Sequence, residues 1–168
     1  MTKRILPVFL AFVAVAAWAE GKFSDAQLKA QFYNDLGPDT IDVSSYPKNQ
    51  QAKYEVFKKT CTQCHTLARP INAPFITSVD WQRYILRMHE RTKSRPGKVI
   101  SKADAKVIVD FLVYDAKVRK VEHKKDFDAQ IATLKALFED VKAERSRQQV
   151  QNDEGKTKQS APYTGTKP

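Results

Sequence analysis

The sequence predicts an all-α protein, and three observations carry that expectation. Apolar residues recur at steps of three and four in four segments: Tyr54, Phe57, Cys61, Cys64; Trp81, Tyr84, Ile85, Met88; Val107, Phe111, Tyr114, Val118, Val121; and Phe127, Ile131, Leu134, Phe138, Val141. No persuasive period-two alternation surrounds the two cysteines. From Lys98 to Glu154 there is neither Gly nor Pro, so helix can continue unbroken over that stretch.

The chain opens on an export signal. Lys3 and Arg4 form a positive head, Ile5 to Trp18 is mostly apolar, and Ala17-Trp18-Ala19 is an A-x-A cleavage site. The apolar run is short for a bilayer span and lacks a stop-transfer flank, so residues 1–19 read as a signal peptide cleaved after Ala19, with an uncleaved anchor as the second reading. No cysteine follows the run, which leaves a lipoprotein anchor without support there.

Residues 20–47 read as an N-terminal helix and a strap. Gly21 to Gly37 is expected to be a short helix, with Ser24 and Gln27 as a capping box and Phe23 and Leu28 as a hydrophobic staple. Gly37-Pro38 ends it, and Ile41, Val43 and Tyr46 mark an extended segment laid on the domain. This part carries two Lys against five acids, whereas residues 48–125 carry 18 Lys or Arg against seven acids. Residues 126–168 have seven of each, so the net charge of +10 belongs to the middle of the chain.

That middle begins with a helix expected over Lys48 to Thr66, and it contains Cys61-Thr62-Gln63-Cys64-His65. Two thiols three positions apart followed at once by an imidazole form the c-type haem attachment pattern. The spacing lets both sulfurs reach the two vinyl groups of one haem, and His65 can then supply the proximal nitrogen. A thioredoxin-like pair should sit beside a βαβ pattern, and a structural zinc site wants four ligands that His89 and His123 do not supply at finger spacing. A simple disulfide is the remaining bland reading.

On this motif the sequence resembles the c-type cytochromes, which implies one covalent haem c, electron transfer and a class I-like haem domain over residues 48–125. Phe57 stands four residues before Cys61, where class I cytochromes place an aromatic that packs on their last helix, although Lys53 replaces the small glycine one turn earlier. Ile108, Phe111 and Leu112 resemble the Ile-x-x-Tyr-Leu pattern of that last helix, with Phe for Tyr. Haem attachment takes place outside the bacterial cytoplasm, so the resemblance agrees with export and implies a periplasmic protein.

Leu67 to Ser78, with Pro70 and Pro74, reads as a loop beneath the haem. One of its carbonyls is expected to accept the Nδ1–H of His65, and Arg69 is a candidate for a propionate contact or an ordinary surface residue. A helix is expected next over Asp80 to Arg91, capped by Ser78 or Asp80. Met88 is the only methionine besides Met1, and several bacterial c-type families resemble its placement, with a Trp two turns before a helix-borne Met ligand. Met88 is therefore the expected sixth ligand, making His65 and Met88 the iron ligands and Cys61 and Cys64 the thioether anchors. His89, rotated about 100° around the helix, and His123 are rivals that would lower the potential.

Thr92 to Ile100 is a basic turn around Pro96-Gly97. Ser101 then caps a helix with Asp104 at its third position, which crosses the Phe57 helix and closes the pocket. The heptad-spaced stripe of residues 126–147 reads either as a helix folded back on the domain or as a dimer or partner helix. Residues 148–168 read as a disordered tail.

The leading expectation is a monohaem one-electron carrier, or the electron-entry subunit of a redox complex, and not an enzyme. A haem enzyme or small-gas sensor with a vacant sixth position is the second reading, and a haem-free thiol redox or interaction protein the third. Arg83, Arg87 and Arg91 step by four beside Lys93, Arg95 and Lys98, a pattern expected to steer a redox partner with an acidic docking surface. Nucleic acid is not expected; peripheral contact with anionic lipid is a second use of the same cations.

Overall fold

A computed structural model describes residues 22–159; residues 1–21, with the expected signal peptide, and residues 160–168 lie outside them. Six α-helices and no strand occur among the described residues: α1 (Asp25–Leu28), α2 (Lys48–Cys61), α3 (Ala68–Ile71), α4 (Ser78–Thr92), α5 (Lys102–Asp115) and α6 (Lys124–Gln159). A 3-10 turn lies at Tyr33–Leu36, and a π-helical stretch at Ala116–Glu122 continues α5. The all-α expectation holds.

The N-terminal segment is shorter in helix than its sequence suggests. Ser24 and Gln27 do form the capping box. The Asp35 carboxylate then accepts the backbone N–H of Gln31 and Phe32 at 2.8 and 3.0 Å, taking donors that a continuing helix would have used. The strap is as expected: Ile41 and Val43 lie on the core, Tyr46 is buried, and its hydroxyl donates to Asp115 at 3.0 Å.

Helices α2 and α5 form the central crossing. Phe57 stacks on Phe111 with ring centres 5.6 Å apart, and Tyr54 meets Phe111 at 5.3 Å. Ile108, Phe111 and Leu112 are fully buried on the α5 side. Lys53 is accommodated at this crossing because its ammonium reaches outward and pairs with Asp110 of α5.

The expected α5 seam needs correction. Val107, Tyr114 and Val118 are only half-buried, and Val121 is half-exposed. Val107 and Tyr114 precede the π stretch and flank the face that Ile108, Phe111 and Leu112 bury. For Val118 and Val121 the π stretch is the cause: i→i+5 bonding inserts a residue into the turn and rotates the residues from Ala116 on. Ala116 and Lys120 therefore face inward, and the Lys120 ammonium donates to the carbonyls of Ala73 and Phe75 at 2.7 and 3.4 Å. It also lies 4.8 Å from the Trp81 ring centre and 5.3 Å from that of Phe127.

After a break at His123, α6 folds back on the domain. Phe127, Leu134 and Val141 are buried, and the helix packs against α1 and the Tyr33–Leu36 turn. Lys22 pairs with Asp140 at 3.2 Å, and the Arg145 guanidinium donates to the carbonyl of Ala30. The helix also runs to Gln159, so residues 148–159 are helical rather than disordered. Gly and Pro are absent before Gly155, and Glu144 bonds Arg147 and Gln148 one turn on.

One buried amide joins these parts. Asn72, fully buried, donates to the carbonyls of Ala68 at 2.7 Å, Pro38 at 2.9 Å and Asn34 at 3.4 Å, and its oxygen accepts from Gln130 of α6 at 2.7 Å. Gly37 passes so close that a Cβ there would lie 2.3 Å from the Asn72 amide nitrogen.

Asn72→Ala leaves these buried partners unmatched and should cost about 2–4 kcal/mol in urea unfolding. Hydrogen exchange should rise at α6 and at residues 33–38 before it rises at the α2–α5 crossing; uniform exchange would contradict the arrangement. A second expectation concerns pH. Burial pushes the Lys120 ammonium down to about 7, with Asp115 and Arg119 as its charged neighbours. Between that value and the ordinary lysine range the unfolded chain holds the extra proton, so stability contributed here rises with pH. From pH 7 to 9 the unfolding free energy of the wild type should rise relative to Lys120→Met, and parallel pH curves would refute it.

Candidate functional site

Helix α2 ends at Cys61, earlier than the expected Thr66, because Thr62 caps it: its amide and its hydroxyl both donate to the carbonyl of Lys58, at 3.1 and 2.8 Å. Thr62 to His65 then form a turn, not a helix. This turn opens onto a cavity of about 480 Å³, within the roughly 300–1,000 Å³ range of cofactor and ligand sites.

Four parts of the chain, together with Arg69 of α3, line that cavity. Cys61, Cys64 and His65 come from the turn; Met88 and Arg91 come from the end of α4; Arg95, Lys98 and Ile100 come from the basic turn beyond it. The fourth wall is the N-terminal segment, including Ala26, Ala30, Asp35 and Leu36. The structure thus brings together all four residues marked in the sequence. It separates their rivals: His89 lines a different groove together with Gln82 and Leu86, while His123 is exposed beyond the π stretch and does not line the cavity.

Local hydrogen bonding sets the nitrogen that His65 offers. Its Nδ1 lies 2.6 Å from the carbonyl of Thr66, which can only accept, so Nδ1 carries the proton and Nε2 keeps its lone pair. The partner carbonyl lies one residue before the expected loop. That loop also contains the short helix α3, whose buried Ile71 packs into the core.

Met88 reaches the cavity through the regular spacing of α4. Thr77 caps this helix in a full capping box with Asp80, one residue before Ser78 and three before Asp80, the two expected caps. Trp81, Tyr84 and Ile85 are buried on the same face, and half-buried Met88 continues it one turn further. Gly97, at φ 77°, lets the basic turn double back, so that Lys98 donates to the carbonyl of Gln63 at 2.6 Å across the cavity rim.

The two cysteines are free thiols in different surroundings: Cys64 is exposed, while burial pushes the Cys61 thiol up to about 12, with Cys64 adding to the effect. A thiol held protonated is a poor nucleophile for disulfide exchange. Among the described residues there is no group of three or more His, Cys, Asp or Glu side chains placed to hold a metal ion.

Arg69 does not stand free for a propionate. Its guanidinium binds Asp35 at 2.6 and 2.7 Å and lies 4.7 Å from the Phe32 ring centre. Burial alone would raise the Asp35 carboxyl, yet Arg69 and the two backbone N–H groups hold it below the usual range. Arg91 and Arg95, both exposed, line the cavity and form no ion pair among the described residues. Sequence reasoning missed the N-terminal wall; the acidic composition of residues 20–47 was its signal.

These residues fit a haem. The donor set is one imidazole nitrogen and one thioether, with two thiols beside them, alanine, leucine and isoleucine on the walls, and unpaired guanidinium groups suited to carboxylates. No known protein-family model, no curated protein and no solved structure matches the chain. No described helix is long and apolar enough to cross a membrane.

Proposed function

We propose that this chain is an exported monohaem c-type cytochrome, a one-electron carrier or the electron-entry subunit of a redox complex. The observation that carries the reading is the meeting of Met88 with Cys61, Cys64 and His65 on one cavity. Bound there, a haem supplies a reversible one-electron iron couple. The chain supplies everything else. Cys61 and Cys64 anchor by thioethers, and the hydrogen bond from His65 Nδ1 to Thr66 orients the ring and raises the basicity of Nε2. Met88 provides a thioether from a helix whose other inward residues are locked in the core.

Arg91 and Arg95 hold carboxylates at the rim, and the N-terminal wall keeps water from one side. Two protein ligands leave no open coordination position, which favours electron transfer over catalysis. The high burial-imposed pKa of Cys61 argues against the thiol redox reading. Arg83 and Arg87 remain on the exposed face of α4, where they suit an acidic redox partner. The location proposed for this role is the periplasm.

The oxidised protein should show the weak far-red sulfur-to-iron band of His/Met ligation. Met88→Ala should abolish the band and open the reduced iron to carbon monoxide, whereas His89→Ala and His123→Ala should leave both properties unchanged. A band that survives Met88→Ala would remove Met88 from the site.

A further inference from the structure

A second concavity, about 1140 Å³, runs between α4 and α5, with Lys53 of α2 at its edge, and nothing in the proposed function uses it. Its floor is apolar, from Ile85, Ile100, Val109 and Val113. Leu86 stands on its edge, 58% exposed. The lining extends from Ser78 to Glu90 on α4 and from Lys102 to Val113 on α5, about 17–18 Å along each helix at 1.5 Å per residue. That length takes about three turns of a further helix, whose apolar stripe would lie on the floor.

The charge of the rim selects among helices. Both acids in the lining are already matched: Asp110 by Lys53, and Glu90 by Lys93 at 2.7 Å. Lys102 and Lys106 are exposed and form no ion pair among the described residues. The uncompensated charge is positive, and it lies on one bank. Ile100 belongs to both concavities, so a helix seated here rests one side chain away from the cavity that holds Met88.

We propose that the α4–α5 groove docks an amphipathic helix of a partner protein, apolar on its inner face and acidic along its edge. That this partner is a redox protein rests on the electron-transfer reading; the docking itself does not. A charged edge sets register and orientation, while the apolar stripe supplies affinity.

The test uses the full exported chain and a fluorescein-labelled synthetic helix of about 12 residues, with Leu at the i, i+3, i+4 and i+7 positions and Glu along one edge. Fluorescence anisotropy should show it binding about tenfold or more tighter than a scrambled peptide and than the same peptide with Lys for Glu. Leu86→Ser, at an exposed position that leaves the fold intact by circular dichroism, should weaken binding by a similar factor. Lys102→Gln with Lys106→Gln should remove the preference for Glu over Lys. Equal binding of the scrambled peptide, or indifference to Leu86→Ser, would overturn the proposal. A wild-type dimer that Leu86→Ser converts to monomer would also overturn it, because a second copy would then be the occupant. Peptide binding by a chain without a haem spectrum would defeat the electron-transfer reading alone; a haem spectrum of His/Met type without peptide binding would defeat the docking site alone.

Discussion

The buried amide of Asn72 is the constraint on which the arrangement depends. An uncompensated amide in the interior costs more than most packing contacts return, so its four partners are fixed together or not at all. Those partners are the start of α3 at Ala68, the strap at Pro38, the 3-10 turn at Asn34, and α6 through Gln130. The loop after Cys-x-x-Cys-His is thereby tied to the N-terminal segment and to the C-terminal helix. The cavity has its fourth wall because of this tie.

Two further polar groups extend the same principle. Asp115, fully buried, is met by Arg119 at 2.6 and 2.7 Å and by the Tyr46 hydroxyl, and Arg119 also donates to the carbonyl of Ile71 at 3.0 Å. Lys120, one residue on, holds Ala73 and Phe75. The π stretch is what turns Lys120 inward, so a local irregularity of α5 orders the chain just before α4 begins. The helix carrying Met88 inherits its position from that chain. The placement of Met88 and polar satisfaction are therefore one problem in this fold, since the groups that settle buried charge also order the chain that leads into α4.

Much of this was legible in the residues. The 3.6 period located α2, α4, α5 and α6, and Trp81, Tyr84, Ile85 and Met88 face inward as their spacing requires. The 100° offset of His89 placed it with Gln82 and Leu86, where the structure has it. What the sequence hid has physical causes. A π turn leaves no periodic signature, so the α5 seam fails at Val121. Side-chain capture of backbone donors by Asp35 ended the first helix early, and Thr62 ended α2 early. Helix-forming Gln, Glu and Lys with i, i+3 pairing carried α6 past Gln148, although polar composition had suggested disorder. The N-terminal wall went unread because it is distant in sequence from the other residues that line the cavity.

The proposed covalent haem on Cys61 and Cys64 stands or falls on the intact mass of the chain. The denatured polypeptide should be heavier than the mature chain by one haem, with neither cysteine open to alkylation. In the Cys61→Ala, Cys64→Ala double variant the added mass should be absent. A wild-type chain with the mass of polypeptide alone, and two cysteines that alkylate, would contradict the account.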